Sequence, residues 1–234
     1  MDSLVGAEIG EAWDNGKGEY YAVAVLNKTK AIQIYTNMIR SNQAVIDNLV
    51  TVSEAEKYSL EAYSRYQFAA TVADINISYG NLLSVIGAPG LAQGLEKGDD
   101  FRLEAANIAK AIPVNLVVQD DKSGRIQGAF SKVLSGMGFQ SGGSNSRYML
   151  DVKVNSAPVE LPNNQNKFTR IEVSANLVDT SIGTVLLPYS FNNREGHITQ
   201  AEAENRALTA AERKISNEYG NVLNGYLSQQ MPKK

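Results

Sequence analysis

Bond-making chemistry in this chain would have to start from very few side chains. His197 is the only histidine in 234 residues, and there is no cysteine. A metal site or a Ser-His-Asp relay would need partners converging on that imidazole. The stretch Arg194-Glu195-Gly196-His197-Ile198-Thr199 has no metalloenzyme spacing, so His197 reads as a loop residue ahead of a helix. Asp99-Asp100 and Asp120-Asp121 offer paired carboxylates. Neither pair has the Asp-x-Asp-x-Asp-Gly pattern of a calcium loop, and turn and helix-cap chemistry accounts for both. Gly-x-Ser-x-Gly, Walker A and dinucleotide fingerprints are all absent. Gly87-Ala88-Pro89-Gly90 follows a helical pattern and reads as a linker. The residues therefore argue against catalysis: no catalytic, cofactor-binding or metal-ligating residue is assigned, and no cofactor is expected.

The totals narrow the class. The chain is 43% hydrophobic and 20% charged, with six prolines, as a folded protein is. A net charge of −3 without a Lys/Arg cluster supplies no drive toward nucleic acid. No run reaches the roughly 18 apolar residues of a spanning helix. Zero cysteines excludes disulfides and thiolate sites, and decides no compartment by itself. Met1-Asp2-Ser3-Leu4 carries no basic and apolar leader pattern.

The scaffold follows from periodicity. Residues 4–27 predict a β-hairpin: Val5, Ala7, Ile9 and Trp13 enter a turn at Asp14-Asn15-Gly16-Lys17-Gly18, and Glu19 to Leu26 returns as a strand covered on both faces. Trp13, Tyr20 and Tyr21 are expected in its packing, with ligand or glycan stacking the alternative. Thr29 is the expected N-cap of a helix to Val50, with Ala31, Ile34, Tyr35, Met38, Val45, Ile46 and Leu49 as its stripe. Ser53-Glu54-Ala55-Glu56 fits a capping box opening a helix to Ile86, which should fold back on the first as an αα-hairpin. A loop follows, then a short helix from Asp99 or Asp100 through Ile108.

Trp13-Asp14, the Gly-rich turn and Glu19-Tyr20-Tyr21-Ala22-Val23-Ala24-Val25-Leu26-Asn27-Lys28, running straight into an amphipathic helix, resemble the LPP20 lipoprotein family of the bacterial cell envelope. The likeness covers about residues 5–50 and extends over the helices to Ile108. In that family further helix and strand precede the hairpin, with a lipid-bearing cysteine after a signal peptide. This chain shows none of them, which implies that an amino-terminal part is missing. The resemblance implies an envelope protein, periplasmic or outer-membrane-anchored, touching a membrane only through an upstream lipid.

Beyond Pro113 the pattern becomes strand, helix, three strands, helix. The strands are Val114–Val118, Tyr148–Asn155, Phe168–Val178 and Thr184–Phe191, with Pro188 marking an edge. The helices are Arg125–Met137 and Thr199 to about Gln230, the latter opened by Thr199-Gln200-Ala201-Glu202. Glu202, Glu204, Arg206, Glu212, Arg213 and Lys214 read as its solvated side. Arg170, Glu172 and Lys153 are expected on the solvent face of the sheet.

The fold class is therefore α+β. Residues 1–112 form an LPP20-like module, a β-hairpin with a long helical hairpin. Residues 113–234 form an α+β sandwich, a mostly antiparallel sheet packed on two helices. The leading expectation is a non-enzymatic cell-envelope protein that docks other envelope proteins or its own copies, a homo-oligomer. The alternative is a periplasmic small-molecule- or glycan-binding module, with a pocket near Phe101, Tyr148 and Tyr189. An enzyme built on His197 comes third.

Overall fold

The structure, a computed structural model, describes residues 6–230. The expected hairpin start at residue 4, with Val5, lies outside them. The chain divides into two compact units, residues 1–53 with 65–104 and residues 54–64 with 105–234.

In the first unit β1 (Ala7–Asp14) and β2 (Tyr20–Leu26) pair antiparallel. Asn27 then caps α1 (Lys28–Val50), its side chain accepting the Lys30 N–H, so the helix starts one residue before the expected cap Thr29. The second helix, α2 (Leu60–Val85), starts well after the expected capping box. Glu54 to Tyr58 form turns instead, and buried Ser59 accepts the Ala62 N–H at 3.0 Å. A surface capping box contributes on the order of 1 kcal/mol. Burial of Leu60, Ala62 and Tyr63 behind Ser59 outweighs it.

Two apolar clusters fix α1 against α2. Ile46 and Leu49 meet Ala69, Ala70, Val72, Ala73 and Phe101, while Ala31 and Tyr35 meet Leu83 and Ile86. The pairing of early with late residues makes the helices an antiparallel hairpin. Asn42 donates to buried Asn76 at 2.9 Å between these clusters, a polar pair that penalises slippage. The last turn of α1 has no basic residue; Arg65 of α2 supplies one, donating to Leu49, Asn48 and Thr51 carbonyls at 2.8, 2.5 and 3.0 Å.

The third helix, α3 (Gly98–Lys110), carries Asp99 and Asp100 inside its first turn rather than at its cap. Arg102 joins Asp74 and Asp99, and Gly98 sits against α2. A Cβ on Gly98 would lie 2.2 Å from Asp74 Oδ1 and 2.8 Å from the Ala70 carbonyl. Gly98→Ala should therefore push α3 off α2 and cost about 1–2 kcal/mol, read as a lowered denaturant midpoint. An unchanged midpoint would show that this close approach is dispensable.

The second unit is built on one mixed sheet in the order β4-β3-β5-β6-β7. Its strands are β3 (Pro113–Gln119), β4 (Gln140–Ser141), β5 (Tyr148–Val159), β6 (Lys167–Asp179) and β7 (Thr184–His197). β3 runs parallel to β4 and β5, with α4 (Arg125–Gly136) in the crossover, and β5, β6 and β7 form an antiparallel meander. Pro188 falls on the edge strand β7, which pairs on one side only and so tolerates a residue without an N–H. Leu150, Val152, Val154, Ile171, Val173, Ala175 and Leu177 are buried on the helix-covered face. Lys153, Asn155, Arg170, Glu172 and Ser174 alternate with them and are exposed on the other.

The final helix runs as α5 (Gln200–Lys214), a π-helical turn over Ile215–Tyr219, and α6 (Gly220–Gln229). Its buried residues are Ala203, Ala207, Ala211, Ile215, Tyr219, Leu223 and Leu227, spaced four apart throughout. In an α-helix each four-residue step overshoots a turn by about 40°, so this stripe would wind away from the sheet. The wider π turn takes up the drift and returns the stripe to the core.

Candidate docking surface

The hairpin of the first unit is where the sequence expectation fails most instructively. Every residue of β1 is exposed, and β2 is exposed up to half-buried Leu26. The strand read as covered on both faces is open on both. Ile9 is 76% exposed, Trp13 49% and Tyr20 85%, so the aromatic residues expected in packing face outward.

Register sorts these side chains. Trp13 lies opposite Tyr21, Glu11 opposite Val23 and Glu8 opposite Val25 on one face. Asp14, Ala12, Ile9 and Ala7 lie opposite Tyr20, Ala22, Ala24 and Leu26 on the other. The ladder shifts between Ile9 and Glu11, leaving Gly10 as a bulge where a Cβ would come within 2.6 Å of Val25 Cγ2. Trp13 and Tyr21 stack with ring centroids 5.7 Å apart and planes 16° from parallel, and the Tyr21 hydroxyl donates to Glu19 at 3.0 Å.

Both ends of the ribbon are held. At the tip, Asp14 accepts the Gly16 N–H at 2.8 Å and Asn15 accepts the Lys17 N–H at 2.9 Å, with Gly16 and Gly18 at positive φ. At the base, Glu8 pairs with Lys30 of α1 at 2.6 Å, the Asn27 N–H donates to the Gly6 carbonyl at 3.2 Å, and Leu26 packs on the α1–α2 cluster. The ribbon is thus a mounted, apolar, two-sided surface whose outer strand edges have no sheet partner among the described residues.

The sequence-derived chemical candidates are dispersed. His197 is the last residue of β7, opposite Lys167, and not a loop residue; its Nδ1 lies 3.4 Å from the Thr199 amide. The strand outlasts its apolar run because Asn192 to His197 still pair with β6. Among the described residues no three His, Asp or Glu side chains gather as metal ligands. Asp121 accepts the Gln127 N–H at 2.9 Å and the Ser123 hydroxyl at 2.9 Å, the cap chemistry expected of it. A cleft of about 540 Å³ beside this turn is lined by Lys122, Lys153, Asn155 and Glu204 among others.

The three residues expected to line a pocket are each engaged elsewhere. Phe101 is part of the α1–α2 core, and the buried Tyr148 hydroxyl accepts the Leu60 N–H at 3.2 Å. Tyr189 stands 5.3 Å from Tyr219, its hydroxyl raised to about 12 by burial and by nearby Glu218. Glu212, placed on the solvated side of the last helix, instead holds Arg125 of α4: Arg125 Nε donates to it at 2.9 Å, and its other nitrogens reach Asn205 at 2.8 Å and Thr209 at 2.9 Å. That partnership, with the hydrogen bond outweighing desolvation, pushes the guanidinium further up. Arg206–Glu202 and Lys214–Glu218 behave as the expected exposed pairs. No helix among the described residues is long and apolar enough to cross a membrane.

What the structure defines is an α+β protein carrying an exposed apolar β-ribbon. No family model matches the chain, and no curated protein matches it. Solved structures resemble part of it, among them the following three. A candidate lipoprotein from Caulobacter crescentus CB15 is 17% identical, over 51% of this chain and 93% of that one, with a TM-score of 0.40. A minor lipoprotein from Acinetobacter baumannii is 15% identical, over 53% and 98%, with a TM-score of 0.35. A Xanthomonas campestris protein of the DUF330 family is 14% identical, over 50% and 85%, with a TM-score of 0.36.

Proposed function

We propose that this chain is a non-enzymatic component of the bacterial cell envelope that works by docking other envelope proteins, with the β1–β2 ribbon as its contact surface. The observation that carries the reading is the exposure of apolar and aromatic residues on both faces of that ribbon. A lone two-stranded ribbon is marginal in water, and contiguous apolar surface of this kind marks an interaction site. A partner strand added to either edge would satisfy open backbone groups, and the two faces would select its side chains. The envelope setting rests on the LPP20 resemblance of the same ribbon and the helix after it.

A photo-crosslinking residue placed at Tyr20 or Val25 tests this. The expected products are adducts with envelope proteins. Trp13→Asp with Tyr21→Asp should lower their yield at least tenfold while leaving the helical signal and the denaturant midpoint of the remaining chain within about 0.5 kcal/mol. Adducts with cytosolic proteins alone, or undiminished adducts in the double variant, would overturn it. The parallel Trp13–Tyr21 stack favours one second reading, a glycan-binding platform. Trp13 is the single tryptophan, so its fluorescence reports on the ribbon directly. A saturable change on titration with soluble glycan fragments would favour that reading over protein docking.

A further inference from the structure

Arg170 of β6 and Arg194 of β7 lie directly opposite one another on the open face of the sheet, both exposed. Like charges facing across a strand pair repel and destabilise the sheet. Among the described residues neither guanidinium has an ion-pair or hydrogen-bond partner to offset that repulsion. Glu172, two residues along the same face, is occupied by Asn155, whose Nδ2 donates to it at 3.3 Å. Ala157 completes the row on β5, so no long side chain screens the two arginines from that side.

One of the two is also held in place. Arg194 sits over the Phe168 ring, 5.8 Å from its centroid. That ring lies across Gly196, where a Cβ would come within 2.4 Å of it. The missing side chain at 196 thus lets Phe168 lie flat on the sheet and form a platform for one guanidinium beside the other.

We infer that Arg170 and Arg194 form an anion-binding clasp for a phosphate group, carried by a lipid headgroup or by a free phosphomonoester. A carboxylate presents two oxygens in one plane and a single negative charge, which one bidentate arginine neutralises. A phosphate presents three oxygens in a pyramid and can take a charge-assisted hydrogen bond from each of two facing guanidinia. Its charge would convert the cross-strand repulsion into attraction. The side-chain amide of Asn192, one row along opposite Glu172, is a further donor on the same face. This inference is independent of the ribbon and of what docks there.

The test titrates the full chain with phenyl phosphate. In parallel it measures binding to phosphatidylcholine vesicles with and without phosphatidic acid. Saturable binding of phenyl phosphate, or binding to the phosphatidic acid vesicles alone, is expected. Arg170→Gln and Arg194→Gln should each weaken it at least tenfold, and Phe168→Leu severalfold with both charges retained. Phenyl phosphate should raise the melting temperature of the wild type and not of Arg170→Gln/Arg194→Gln, a readout that a merely structural role would leave unchanged. Binding of phenyl phosphate without vesicle binding assigns the site to soluble phosphomonoesters. Vesicle binding without phenyl phosphate binding assigns it to lipid. Absence of both, or equal binding by the double variant, would overturn the clasp.

Discussion

Phe130→Ala should destabilise the second unit by about 3–5 kcal/mol, the range for emptying a fully buried aromatic site. Phe130 is 0% exposed on α4 and meets the Tyr219 ring edge-on, with centroids 4.9 Å apart. Tyr219 in turn meets Tyr189, and Tyr189 meets Phe191, so the truncation removes one end of an aromatic row joining α4, the π turn and β7. Such a row cannot collapse into the vacated space without moving the π turn, which keeps the cost near the upper end. Tyr219→Phe, in the same row, should do the opposite. The Tyr219 hydroxyl is buried with no hydrogen-bond partner among the described residues, and burial pushes its ionisation well up. Removing an unsatisfied buried hydroxyl is expected to be neutral or to stabilise by about 1 kcal/mol. Amide exchange in α4 and β7 reads both variants within the second unit, whatever the first unit does. A Phe130→Ala loss below about 1 kcal/mol, or a Tyr219→Phe loss above it, would contradict this account of the core.

Where element identity depends on local pattern, the sequence carried it. The Asn-Gly turn, the apolar alternation of β5 and β6, the edge proline of β7 and the Thr199 cap are all legible because each is a short-range device. The π turn was not legible: Leu208, Val222 and Tyr226 are apolar as well, so the pattern reads as one continuous helix, and only burial singles out the seven residues spaced four apart. The failures share a different cause. Whether Trp13 and Tyr20 are covered depends on what folds over them, and an apolar strand reads alike whether buried in its own chain or waiting for another. Ser53-Glu56 satisfies a capping box, yet the helix begins behind Ser59 because tertiary burial of Leu60 and Tyr63 decides. β4 is too short to show a period. Cross-strand register places Arg170 opposite Arg194 and cannot be read from residues so far apart in sequence. For the same reason Arg125 gave no sign that it would find Glu212.

Asp179→Asn is expected to cost about 2–3 kcal/mol at neutral pH, because the group it alters is a charged acceptor rather than a neutral one. Asp179 ends β6 and is buried, and burial alone would push its carboxyl up. The Ser181 hydroxyl at 2.5 Å, the Ser181 amide at 3.0 Å and Arg147 Nε at 2.9 Å outweigh that and hold it below the usual carboxylate range. These bonds lock the turn between β6 and β7 to the start of β5, where Thr180 also bonds to the Arg147 carbonyl at 3.0 Å through its hydroxyl and 2.8 Å through its amide. The folded-state value lies below the unfolded one, so the stabilisation is present in full above about pH 4 and is lost as the pH falls through the folded-state value. Asparagine cannot titrate, and its amide would point a donor at Ser181 or Arg147. The stability gap between wild type and variant should therefore be constant from about pH 7 to 5 and close progressively below about 4. Denaturant midpoints of the two proteins across that range measure the difference directly, with every other carboxyl cancelling. A gap that persisted unchanged to about pH 2 would mean that shape at this turn matters and charge does not.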